Sequence, residues 1–174
     1  MINFFRIGVL SGFIAAIFNI IYCLVLNNYF HIIPLGGKKF PALVFNIIFI
    51  VLAIYYLKKS NKDGVLSFWE GFLMGTFTNF VASCVTASFL YWFASQSDWE
   101  IVKQYISAIT TEFTKQKSNI ILQDGQAYYD NFLKNIPQIT PNSIASDEIS
   151  QKMVLAFIPI LMASLYFRRG YIKK

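Results

Sequence analysis

Residues 7–26 read IGVLSGFIAAIFNIIYCLVL, twenty positions without a charge. At 1.5 Å per residue such a helix is roughly 30 Å long, one hydrocarbon thickness of a bilayer. Working outward, three further apolar runs follow at 41–57, 68–93 and 153–167. The last is too short to span alone and contains Pro159, so its helix is expected to start upstream near Ser143. The whole chain agrees: of 174 residues 56% are hydrophobic, 18% aromatic and only 14% charged. Soluble domains carry about 25% charged residues, and disorder needs far less hydrophobicity than this. The expected fold is an all-α integral membrane four-helix bundle, with spans near 7–26, 41–57, 68–93 and 143–167. A helical excursion over 94–142 is expected outside the membrane, between the third and fourth spans.

The first run is longer than the 7–15 apolar residues of a secretory signal and no A-x-A-like site follows it, so it is expected to be a retained span. Basic residues then set the orientation. Segments 1–6, 58–67 and 168–174 hold Arg6, Lys58, Lys59, Lys62, Arg168, Arg169, Lys173 and Lys174, eight in 23 positions. Segments 27–40 and 94–152 hold Lys38, Lys39, Lys103, Lys115, Lys117, Lys134 and Lys152, seven in 73. The density predicts both termini in the cytoplasm, and makes the net charge of +6 mainly a topology signal. No nucleic-acid role is expected, because the basic residues form short juxtamembrane clusters rather than one extended face.

The segment 27–40, NNYFHIIPLGGKKF, has the aromatic collar of a bilayer interface. In 94–152, Trp99, Val102, Tyr105, Ile106, Ile109 and Phe113 recur at helical spacing, as do Tyr128, Tyr129, Phe132, Leu133 and Ile136. Two amphipathic helices parted near Gly125 are expected. They could cap the bundle, dock a partner or lie among headgroups.

At the third span the chain reads Gly64-Val-Leu-Ser67-Phe68-Trp-Glu70-Gly71-Phe72-Leu-Met-Gly75. With a first span opening on Gly8 and Gly12, a lysine-bearing loop, a polar helical excursion and a basic tail, the layout resembles the domain-of-unknown-function 4199 family of bacterial membrane proteins. The resemblance implies an inner-membrane location and no known activity, so it supplies no functional residues. Internally, Phe5, Gly8, Leu10 and Gly12 align with Phe68, Gly71, Leu73 and Gly75 at an offset of 63, the mark of a parallel helix-hairpin repeat if it is genuine.

Ser67 and Glu70 have the S-x-x-E spacing of a capping box, in which hydroxyl and carboxylate each accept the other's backbone N–H. Glu70 is also the only carboxylate expected close to the membrane core, which makes an ion or proton site the functional alternative. Gly8, Gly12, Gly71 and Gly75 are expected to pack helices, since close backbone approach replaces the missing hydrophobic drive in lipid. Asn19, Asn46 and Asn79 lie 12, 11 and 11 positions from the span ends Ile7, Leu57 and Phe68, roughly 16–18 Å deep in each case. Pro159 would free the carbonyl of Leu155 at a similar depth. The polar groups are thus expected to meet near the midplane, either bonded to one another or lining a polar pocket.

His31 is the sole histidine, too isolated for a metal site. Cys23 and Cys84 lie inside spans, where a thiol is usually a packing residue. Neither a phosphate loop nor a nucleophile elbow occurs, so no cofactor, metal or enzymatic activity is expected. The expected function is a non-enzymatic inner-membrane subunit or scaffold that docks a partner through its outer helices. The alternative is a small oligomeric transporter or channel with a polar midplane site. The partners expected are the lipid bilayer and either a protein or further copies of the chain.

Overall fold

A computed structural model describes residues 2–61 and 64–168, and every regular element in them is helical. In chain order the α-helices are α1 (Ile2–Phe30), α2 (Leu43–Ser60), α3 (Phe68–Ala94), α4 (Glu100–Lys115), α5 (Lys117–Asp124), α6 (Gln126–Asn135) and α7 (Pro141–Phe167). Among the described residues four segments are long and apolar enough to cross a membrane: Asn3–Phe30, Gly36–Ser60, Phe68–Ala94 and Pro141–Phe167. Lys62, Arg169, Lys173 and Lys174, used above for orientation, lie outside the described residues.

The helix ends differ from the expected ones for local reasons. α1 runs on past Leu26 to Phe30, where His31 adopts a left-handed φ of 53° and Ile32 donates back to the Leu26 carbonyl at 3.0 Å. Pro41 does not open an α-helix; it sits inside a 3₁₀ turn, Gly36–Ala42, that feeds α2. α7 starts at Pro141 rather than Ser143 because Thr140 and Ser143 cap it reciprocally. The Thr140 N–H donates to Ser143 Oγ at 2.9 Å and the Ser143 N–H to Thr140 Oγ1 at 3.2 Å.

The chain forms two compact units. The first comprises residues up to Phe89 and from Ser146 onward, and contains the bundle. Its outer face is apolar, with Phe13, Leu73, Phe80, Val154, Ile158 and Met162 all exposed. Its interior holds Asn19, Thr78, Asn79, Ser83, Thr86 and Ser164, all buried. This is the reverse of a soluble protein and what a lipid solvent selects. One layer of the core is wholly apolar and contains Ile50, Ile54, Leu57, Met74 and Ile160.

The glycines set how closely the helices approach. A methyl group at Gly12 would stand 2.7 Å from the Thr78 carbonyl oxygen, so α1 lies directly on the α3 backbone there. Gly8 faces Phe77 and Met74 of α3, whereas Gly71 and Gly75 face Ser164 and Ile160 of α7. The two pairs therefore pack different neighbours, and the four-residue internal match is not accompanied by equivalent packing.

The second unit, Leu90–Ala145, contains three short helices where two were expected. Gln116 separates α4 from α5, and Gly125 at φ 88° separates α5 from α6. Phe113 of α4 stacks on Phe132 and Tyr129 of α6 at centroid distances of 4.0 and 5.3 Å.

Candidate functional site

The site begins with three amides, one on each of the first three long helices. Asn19 Nδ2 donates to Asn46 Oδ1 at 2.8 Å, and Asn46 Nδ2 donates to Asn79 Oδ1 at 3.0 Å. All three side chains are buried, at 1% exposure each. Asn46 bridges the other two, so α1 and α3 are joined through α2 rather than by a direct amide pair. The cluster is closed by its own bonds.

α7 completes it with one residue used twice. Asn79 Nδ2 donates to the backbone carbonyl of Lys152 at 3.1 Å, while Lys152 Nζ donates to Asn19 Oδ1 at 3.1 Å. The four bonds form a ring in which every amide donates in the same sense, starting from an ammonium and returning to the carbonyl of the same residue. Aligned dipoles polarise one another, so each bond strengthens the next where the dielectric is low. The carbonyl supplied by α7 is thus that of Lys152, one turn upstream of Leu155. Leu155 itself is 43% exposed.

Lys152 makes two more contacts, to Thr86 Oγ1 at 3.2 Å and Glu148 Oε1 at 2.8 Å. With Asn19 these give an acceptor for each of its three N–H groups. Glu148 Oε2 accepts from Lys39, which stands in the turn before α2. The side chains of this Lys39–Glu148–Lys152 triad are only 9%, 3% and 9% exposed. Their charges sum to +1.

These three residues correct the sequence-based expectation. Lys39 and Lys152 are counted above with the outer loops, and Glu70 as the carboxylate nearest the membrane core. Instead both lysines are buried in the bundle with Glu148, and Glu70 is exposed at the start of α3. A signal was present in the sequence. If the fourth helix must begin near 143 to be long enough, Glu148 and Lys152 fall inside it at i,i+4, where opposite charges pair on one face.

Ser67 and Glu70 sit away from the ring. The Ser67 N–H donates to Glu70 Oε2 at 2.8 Å and the Glu70 N–H to Ser67 Oγ at 3.2 Å, the two bonds of a capping box. Glu70→Gln is therefore expected to leave the melting temperature in detergent unchanged within about 1 °C. Glu70→Ala is expected to cost on the order of 1 kcal/mol, because an orphan donor loses its partner. Equal losses for both variants would mean that the charge, not the backward bond, is what counts.

The arrangement spans residues 19–152, and comparison with known proteins covers the same stretch. The family described as a protein of unknown function, DUF4199, matches residues 5–169. The chain belongs to the DUF4199 family. No curated protein and no solved structure matches it. In this DUF4199 chain each of the four long helices, with the turn before α2, contributes to one buried polar network. Among the described residues no group of three or more His, Cys, Asp or Glu side chains is arranged to hold a metal ion.

Proposed function

We propose that this DUF4199 protein is a non-enzymatic scaffold or subunit of the bacterial inner membrane, with both termini cytoplasmic, that docks a protein partner through its outer helical region. The observation that carries the proposal is the closure of the core. The polar groups expected at the midplane are spent on one another, and Ile50, Ile54, Leu57, Met74 and Ile160 fill the adjoining layer. A transporter or channel, the competing function, would need a polar route past that layer. The ring acts as a fastener: in lipid, interhelical hydrogen bonds and backbone approach hold spans together. Recognition then falls to α4–α6, where Leu122 is 86% exposed on a helix with no buried residue and Tyr128 is half exposed.

Two single-cysteine variants test both parts of the proposal. With Cys23 and Cys84 replaced by alanine, Leu122→Cys should react in intact cells with a membrane-impermeant thiol crosslinker and give one discrete adduct to a different polypeptide. Asn61→Cys should stay silent. Adducts only between copies of the chain would favour the oligomeric transporter, and reaction at position 61 would reverse the orientation.

A further inference from the structure

Asn19, Thr86 and Glu148 together account for every N–H of Lys152, and Lys39 is left short of partners. Among the described residues Glu148 is the one acceptor for the Lys39 ammonium, so two of its three N–H groups have none. Beside it lies a cavity of about 20 Å³, lined by Lys39, Glu148, Gln151 and Lys152 together with the apolar Phe40, Leu43 and Leu155. Gln151 lines the same space with a side-chain oxygen shut off from solvent and without a hydrogen-bond partner. Two buried ammonium groups and one carboxylate leave an excess of one positive charge in a medium that penalises unpaired charge.

We propose that this cavity binds a small monovalent anion of the halide class, held between the Lys39 ammonium and the Gln151 amide. Charge chooses among ligands. A water molecule would satisfy the hydrogen bonds and leave the excess charge untouched, and a cation would add to it. Size narrows the choice further, because about 20 Å³ is close to the volume of one small monatomic ion. Phosphate, sulfate and carboxylates are too big. Exchanging the oxygen and NH₂ positions of the Gln151 amide by a half-turn replaces the orphan acceptor with a second donor for the anion. The site does not depend on partner docking through residues 94–142, and the two proposals can fail separately.

The test is the melting temperature of the purified protein in detergent, in sodium chloride or bromide against sodium gluconate at equal ionic strength. Halide should raise it saturably, by on the order of 5 °C at high occupancy. Gln151→Leu, which leaves the ion triad intact, should shift the half-saturating halide concentration upward about tenfold. Lys39→Met removes the excess charge, and should abolish the halide dependence while melting no lower than the parent in gluconate. In crystals grown with bromide, anomalous scattering should place the ion within hydrogen-bond distance of Lys39 Nζ. Equal melting in halide and gluconate, or a bromide-free cavity holding only water, would overturn the proposal.

Discussion

Glu148→Gln is expected to lower the stability of the folded bundle by about 3–5 kcal/mol, the usual cost of removing one partner from a buried ion pair. The carboxylate stands between Lys39 and Lys152, and all three side chains are at most 9% exposed, so solvent does not screen the loss. Gln keeps the shape and leaves two ammonium groups facing one neutral amide. For a chain of this length 1 kcal/mol corresponds to about 2–4 °C, so the melting temperature in detergent should fall by roughly 6–20 °C. Adding Lys152→Met should recover part of that loss, since the second change removes one of the stranded charges. The double variant must then be less destabilised than the sum of the two singles, as expected of residues in direct contact. Strict additivity, or a single-variant shift under 1 °C, would show that the triad contributes nothing to folding.

Gly12→Ala should be the most damaging alanine among the packing glycines Gly8, Gly12 and Gly71, at about 1–3 kcal/mol. Its new methyl would meet a backbone oxygen, Thr78 O, at 2.7 Å and the Val81 Cβ at 2.8 Å, and neither can swing aside. The helices must separate instead. That strain reaches the ring, because Asn19 lies two turns along α1 from Gly12 and must still meet Asn46 at 2.8 Å. At Gly8 the obstacle is the Phe77 ring edge at 2.5 Å, which a side-chain rotation can relieve. At Gly71 the nearest atoms are 3.3 Å away or more, and Ala should be close to neutral. Melting temperatures of the three alanine variants should therefore order as Gly12 below Gly8 below Gly71. Equal effects at all three would mean that the helices are not held at backbone contact.

Much of the architecture was legible in the chain alone, because a bilayer imposes one length and one polarity on whatever crosses it. Four apolar runs, with segment 143–152 added to the last, give the four long helices to within a few residues at most ends. The capping box at Ser67 and Glu70 was legible too, since its geometry is local and its spacing fixed. The common depth of Asn19, Asn46 and Asn79 followed from counting residues along straight helices. Their order did not. That Asn46 is the bridge, and that the donors run in one direction back to Lys152, depends on how the four helices are rotated about their axes. Lys39 and Lys152 were misplaced for a related reason: in a sequence a charged residue near a span end marks a loop, because an isolated charge in lipid is costly. Only the packed bundle brings the opposite charges from the turn before α2 and the start of α7 together, and pairing removes the penalty that the sequence pattern assumes.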